Sequence, residues 1–212
     1  MTDRLLPTPE GLAAAERLLR DGALVAFPTD TVYGVACAAS RPDRIGALFE
    51  LKRRPLDRRI PMLVTDIAAV PDGWSVDDRA RALAAAFWPG ALTLVLPPAD
   101  AAGAGHAAGA GESQAFRAPD HPVALDLIRA AGPLYATSAN VSDEPDTLDA
   151  DDVLVAFATQ ADELAAVVDG GRVSGGVASS VVDLTVRPAR ILRAGPIGPD
   201  ALAAVVELAP EP

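Results

Sequence analysis

Residues 8–38, TPEGLAAAERLLRDGALVAFPTDTVYGVACA, pass from a helical to a strand repeat in one continuous stretch, and that passage decides the fold class. Thr8, Pro9 and Glu10 supply a helix cap, a first-turn proline and an early acid. Leu12, Ala15, Leu18 and Leu19 then recur at helical spacing until Gly22. Ala23 to Phe27 is apolar throughout and ends at Pro28, which predicts a short buried strand; Val32 to Ala38 predicts another after a turn. The alternation continues downstream. A helix is expected from Pro42 through Ile45, Leu48, Phe49 and Leu51, a strand over Met62–Val64, a helix over Asp77–Phe87 and a strand over Ala91–Leu96, with Trp88-Pro89-Gly90 as a turn. Further strands are expected at Gln114–Arg117, Leu134–Thr137, Ala165–Val168, Ser180–Leu184 and Arg190–Arg193. Helices are expected at His121–Ala131 and from Pro199, and a polar loop at Ser142–Asp152. Helices interleaved with strands read as α/β. No repeat and no linker divides the chain, so one domain over 1–212 is expected.

Composition narrows the function. Half of the 212 residues are hydrophobic, enough for a sizeable core. No apolar run approaches the ~20 residues of a membrane helix, and the first residues lack the basic start and apolar stretch of a signal peptide, so a soluble, unprocessed chain is expected. One cysteine, Cys37, and two histidines, His106 and His121, argue against a disulfide framework or a zinc enzyme. A net charge of −11 argues against a surface devoted to nucleic acid, while leaving room for a local basic cleft.

Such a cleft has a candidate. Between Arg41 and Arg59 seven basic residues face Asp43, Glu50 and Asp57, a local +4 that leaves −15 for the rest. All basic residues are arginine except Lys52, inside this cluster. A compact ammonium contacts phosphate as a point charge where guanidinium is a planar fork, so Lys52 reads either as a functional ammonium or as one lysine surviving by chance. Four polar segments end apolar runs, where an open α/β sheet places its ligand crevice: Pro28 to Gly34, Lys52-Arg53-Arg54-Pro55, Thr137-Ser138-Ala139-Asn140 and Ser179 to Asp183. In extended backbone Ser138 and Asn140 share a face, as would Lys52 and Arg54. Two cations with a hydroxyl and an amide suit a phosphate. Taken singly, each segment also reads as a turn or a helix end. Residues 97–111 are rich in Pro, Ala and Gly; Gly103, Gly105 and Ala108 fit a loose dinucleotide pattern, but without a strand before or a helix after them they read as loop.

Together these segments resemble the YrdC/TsaC family of threonylcarbamoyl-AMP synthases. The matching blocks are Pro28 to Gly34, Lys52-Arg53-Arg54-Pro55, Trp88 to Val95, Phe116 to Pro122, Thr137-Ser138-Ala139-Asn140, Ser179 to Asp183 and Ile191 to Gly195, in family order over most of the chain. The resemblance implies a twisted, open, mixed sheet with flanking helices around a positively lined cavity. It implies an enzyme that makes threonylcarbamoyl-AMP and pyrophosphate from L-threonine, bicarbonate and ATP, in the cytoplasm, for tRNA modification; Mg²⁺ is expected to bridge the triphosphate with few protein ligands, and no residue is assigned to it. Transfer machinery for tRNA modification would be a partner, and tRNA contact weak or indirect. The family's Lys-Arg-Ser-Asn set falls on Lys52, Arg54, Ser138 and Asn140. Thr29, Thr31 and Tyr33 fall in the threonine-site block, and Arg117, Ser180 and Arg193 near the nucleotide or carbamoyl group. Asp30 and Asp183 read either as water-mediated helpers or as turn and strand-end contacts. Cys37 and Trp88 read as packing residues, and His121 as held by an orienting hydrogen bond.

Three positions depart from the family: Asp143 where glycine is common, Thr65 where some members have histidine, and Ala178-Ser179-Ser180 in place of Pro-Ser-Thr. The length implies the short, single-domain form. Two other readings compete. A non-catalytic RNA- or nucleotide-binding module would use the same basic cavity, but aromatics make up only 4% of the chain. A carbamoyl-transferring enzyme would instead use carbamoyl phosphate.

Overall fold

The computed structural model describes residues 1–53, 60–99, 113–142 and 144–210. Strands β1 (Asp3–Leu5), β2 (Leu24–Phe27), β3 (Gly34–Ala38), β4 (Met62–Leu63), β5 (Leu92–Leu96), β6 (Gln114–Arg117), β7 (Leu134–Ser138), β8 (Leu164–Val168), β9 (Ser180–Asp183) and β10 (Arg190–Arg193) form one sheet. Their order is β1-β8-β2-β3-β7-β4-β6-β5-β9-β10. Parallel pairs such as β2 with β8 and β5 with β9 alternate with antiparallel ones such as β3 with β7 and β5 with β6, so the sheet is mixed. Six helices flank it among the described residues: α1 (Pro9–Arg20), α2 (Ile45–Lys52), α3 (Asp78–Phe87), α4 (Pro122–Ala131), α5 (Ala150–Ala156) and α6 (Pro199–Ala203).

The expected Thr8 cap forms, and Asp77, expected as the first helical residue, caps α3 instead. Thr8 accepts a hydrogen bond from the Gly11 amide and Asp77 one from Ala80, each contributing about 1 kcal/mol to its helix. Three boundaries differ. Pro42–Arg44 is a 3-10 turn and the α-helix begins only at Ile45. A helix, α5, starts inside the expected Ser142–Asp152 loop, because Asp149 caps it and Asp151 and Asp152 suit the positive end of its dipole. The mostly exposed edge strand β1, paired in parallel with β8, was not expected from its polar sequence.

Alternation across the strands explains the continuous apolar runs, because both faces of the sheet's first half are covered. Leu24, Ala26, Val35 and Cys37 enter the larger core with Leu48, Phe116 and Leu94. Val25, Phe27, Ala36 and Ala38 face the other way, against Ala15 and Leu19 of α1 and Val123, Ala124, Leu127 and Ile128 of α4. That second face ends in a hollow. Leu63 and Ala136 belong to the α1/α4 core and also line a cavity that continues along the same face of β4, β6, β5, β9 and β10. Pairing keeps the parity: Leu63 lies opposite Arg117, and Thr93 opposite Val181.

Candidate active site

The cavity has a volume of about 420 Å³. Its walls hold Lys52, Arg117 and Arg193 but, among the described residues, no carboxylate. A second hollow of about 430 Å³, behind residues 141–147, places Glu144, Asp146 and Asp152 beside Arg53. Its charge balance has the wrong sign for a polyanion.

Lys52 reaches the first cavity from the last position of α2. Arg53, in the left-handed region at φ 52°, stops the helix there. That conformation costs a non-glycine residue about 1 kcal/mol. The extended geometry in which Lys52 and Arg54 would share a face is therefore not what positions Lys52. The Lys52 side chain is 3% exposed, and Nζ donates to Ser138 O at 2.5 Å, Asn140 O at 2.6 Å and Asn140 Oδ1 at 3.0 Å. Ser138 Oγ lies 3.4 Å from the same nitrogen, and acceptors gathered around one nitrogen match a tetrahedral ammonium and not a planar guanidinium, which is a structural reason for lysine here. Ser138 Oγ donates to Asn140 Oδ1 at 2.7 Å, and Asn140 Nδ2 donates to Glu144 O at 2.6 Å. These partners orient the amide. The Ser142 amide donates to Lys52 O at 3.0 Å and the Ala139 amide to Tyr33 O at 2.8 Å, tying α2, the end of β7 and the 29–33 turn together.

Across the cavity, Thr29 Oγ1 donates to Val32 O at 2.7 Å and lies 3.0 Å from Thr31 Oγ1. Arg117, on β6, donates to Gly90 O through Nε (3.0 Å), to Thr31 Oγ1 through Nη1 (2.9 Å) and to Asp30 Oδ1 through Nη2 (2.6 Å). Burial lowers the Arg117 pKa, the Asp30 charge opposes that shift, and the nearby Arg193 charge adds to it. Arg193 donates to Ser179 O at 2.9 Å and Ser179 Oγ at 3.2 Å. It makes no ion pair among the described residues. Burial lowers its pKa, against the charge of Asp146.

Seven of the expected residues therefore line one hollow: Lys52, Ser138, Asn140, Thr29, Thr31, Arg117 and Arg193. Tyr33 and Ser180 do not, and strand parity is the reason. Tyr33 points with Val35 and Cys37 into the larger core, where its hydroxyl donates to Gly171 O at 2.7 Å and accepts from the Gly170 amide at 3.2 Å. Burial pushes its pKa up to about 12. Ser180 points with Val182, and its hydroxyl donates to Ile197 O at 2.7 Å. Its neighbour Ser179 faces the cavity instead, with Oγ 2.7 Å from Thr93 Oγ1. Ser179 and Thr93 carry no expected role of their own, yet both line the cavity, and polar residues interrupting apolar runs are the signal that marks them. Gly195 allows this packing, since a Cβ there would stand 2.6 Å from Ala178 O and 2.7 Å from the Ser179 carbonyl carbon.

Other expectations fall elsewhere. Arg54, Arg58 and Arg59 lie outside the described residues, as do Asp143 and the Gly103, Gly105 and Ala108 pattern. Thr65 hydrogen-bonds Asp66 and is not part of the lining. Asp183 accepts from Thr185 and Arg190 as a strand-end contact. Trp88 Nε1 donates to Leu92 O at 2.7 Å. His121 Nδ1 is buried and has no hydrogen-bond partner among the described residues, so that nitrogen makes no orienting bond. Burial lowers the His121 pKa against the charges of Asp30 and Asp120. Cys37 is fully buried, its thiol pushed up to about 12.

The Sua5/YciO/YrdC family model, described as telomere recombination, matches residues 17–195. A threonylcarbamoyl-AMP synthase of Bacillus subtilis is 38% identical over 97% of this chain, which spans 59% of that protein's length. A putative threonylcarbamoyl-AMP synthase of Mycobacterium tuberculosis is 36% identical over 92% of this chain and 89% of its own. Among solved structures, P. abyssi Sua5 complexed with L-threonine superposes with a TM-score of 0.87 at 31% identity, over 99% of this chain and 63% of that one. E. coli YciO, at 20% identity and a TM-score of 0.80 over 92% of this chain and 97% of its own, shares the fold. With the family model spanning most of the sequence, the chain belongs to the Sua5/YciO/YrdC family.

Proposed function

We propose that this chain, acting as one YrdC-like domain, is an L-threonylcarbamoyladenylate synthase, a nucleotidyltransferase. The observation that carries the reading is the cavity: three cations and a set of fixed hydroxyl and amide groups, with no described carboxylate on the wall. Threonine's amine and bicarbonate condense to an N-carboxylate with loss of water. An oxygen of that carboxylate attacks the α-phosphorus of ATP in line, the bond to the β-phosphate oxygen breaks, and pyrophosphate leaves. Negative charge builds on the phosphoryl oxygens and the leaving group, and Lys52 offers a buried positive charge whose orientation is already fixed. Ser138 and Asn140 give direction beside it, with Arg54 as the second cation of the set. Thr29 and Thr31 receive threonine. Arg117, with its fork facing Thr31, and Arg193 neutralise carboxylate and phosphate. Ser179, rather than Ser180, supplies the hydroxyl on the β9 side.

Mg²⁺ enters this reading as the counter-ion of ATP, since the described lining offers it no carboxylate. The product passes in the cytoplasm to tRNA-modification transfer machinery, with tRNA contact weak or indirect. The test is pyrophosphate release from ATP with each substrate omitted in turn, repeated for Lys52→Ala and Asn140→Ala. Release should require threonine and bicarbonate together, and both variants should lose most of it while remaining folded. Release without bicarbonate and threonine sinks the reading.

A further inference from the structure

Asp30 is next to the cavity but not on its wall. One of its oxygens, Oδ1, accepts from Arg117 Nη2 at 2.6 Å and from the Asp120 amide at 3.0 Å, joining the 29–33 turn to the end of β6 and the approach to α4. The ion pair is largely shielded, its side chains 10% and 17% exposed. Arg117 has five N–H donors. Gly90 O, Thr31 Oγ1 and Asp30 Oδ1 take three, which leaves two for a ligand.

The placement of this carboxylate matters. On the wall it would repel an anionic substrate; beside the wall it holds the guanidinium without occupying the hollow. Arg193 is close enough to disfavour the Arg117 charge, so without Asp30 the Arg117 fork has both a lost anchor and a like charge to turn from.

We propose that Asp30 is a positioning residue: it fixes the Arg117 guanidinium so that its unused N–H groups meet a carboxylate of the amino-acid substrate. The identity of that substrate rests on the synthase reading above; the fixing of Arg117 does not. A planar fork meets a carboxylate through two parallel hydrogen bonds only when its plane is held, which is the property Asp30 controls.

The experiment follows the Arg117 side-chain Nε–H resonance by ¹⁵N NMR, assigned by its absence in Arg117→Ala, together with steady-state pyrophosphate release. In wild type and Asp30→Asn, which keeps the accepting oxygen, the resonance should be sharp and protected; in Asp30→Ala it should broaden or vanish. Asp30→Ala should raise KM for threonine about tenfold or more, with KM for ATP and kcat within about threefold, and Asp30→Asn should restore most of the loss. Should Asp30→Ala not fold, Asp30→Glu displaces the oxygen while keeping the charge and should move threonine KM in the same direction. An unchanged Arg117 resonance overturns the proposal. So does a loss shared equally by threonine and ATP alongside a lowered Tm. If wild type releases no pyrophosphate, the synthase reading fails and the NMR arm still decides whether Asp30 fixes Arg117.

Discussion

Replacing Lys52 with arginine separates charge from shape at the centre of the cavity. The substitution keeps the positive charge, so a site that needs only a cation would tolerate it. The geometry predicts otherwise. Nζ is shared by Ser138 O, Asn140 O and Asn140 Oδ1 at 2.5–3.0 Å, and at 3% exposure the residue has little contact with water. A guanidinium nitrogen carries at most two N–H groups, both in one plane, and cannot donate from a single point to three acceptors gathered around it. Losing one hydrogen bond to a charged group costs about 1.5–3 kcal/mol. Fitting the larger head into a packed site adds ~1–3 kcal/mol. Lys52→Arg should therefore lose about 2.5–6 kcal/mol of stability, which in a chain of this size lowers Tm by roughly 5–24 °C. It should also disturb Asn140, whose amide is oriented by Lys52, and so reduce pyrophosphate release about 100-fold or more. Thermal unfolding followed by circular dichroism and a coupled pyrophosphate assay measure both. A variant with wild-type Tm and release within about threefold of wild type would refute the reasoning that shape, and not charge alone, selects lysine.

Adjacent serines give a second test. Ser179→Ala removes a cavity hydroxyl and should lower pyrophosphate release with little change in Tm, whereas Ser180→Ala removes the bond to Ile197 and should cost about 1 kcal/mol of stability with kinetics nearly intact; equal kinetic losses would contradict the parity assignment. The third concerns alkaline pH. Cys37 and Tyr33 keep their protons in the fold up to about 12, while the unfolded chain releases them near the ordinary 9.0 and 10.0. The unfolded state then binds fewer protons, so stability is full below about pH 9 and falls as pH rises towards 12, and Cys37→Ala should weaken that fall; urea midpoints at pH 8, 9.5 and 10.5 that coincide would contradict it.

How far the sequence could be read depended on how local the determining physics is. Thr8 with Pro9, Asp77, and the apolar run before Pro28 specify their elements through neighbours alone, and those elements form close to where they were expected. Helix α5 was hidden because its first turn is acidic: Asp149, Asp151 and Asp152 look like a polar loop until they are read as an N-terminus. Strand β1 was hidden because an exposed edge needs no apolar pattern. Around the cavity the segments are identifiable and the faces only in part: Ser138 and Asn140 share a face as expected, whereas Tyr33 and Ser180 point away. Ser180 turns away from the cavity and Ser179 lines it, because one position along a strand is a change of side. Lys52 ends a helix as its sequence context predicts, but its partners include the carbonyls of Ser138 and Asn140, 86 and 88 residues away. No local pattern encodes a contact of that range.

The same parity suggests why this face of the sheet became the site. Helices α1 and α4 cover it only over the first half of the sheet, and beyond β7 polar residues stand where an apolar neighbour would otherwise be expected: Thr93 on β5, Arg117 on β6 and Ser179 just before β9. A buried polar group costs stability unless it is hydrogen-bonded. Each of these is: Thr93 with Ser179, Arg117 with Gly90, Thr31 and Asp30, and Arg193 with Ser179. Lys52, Ser138 and Asn140 form the corresponding set at the end of β7. Each of these polar groups thus has an internal partner before any ligand arrives, and the cations are held by carbonyls, hydroxyls and the Asn140 amide oxygen, with one carboxylate placed behind the wall. Holding them mainly with neutral acceptors leaves most of the positive potential directed into the cavity. An anion entering it meets oriented donors and needs little rearrangement of the protein, the condition under which fixed charges contribute most to stabilising charge that develops during a reaction.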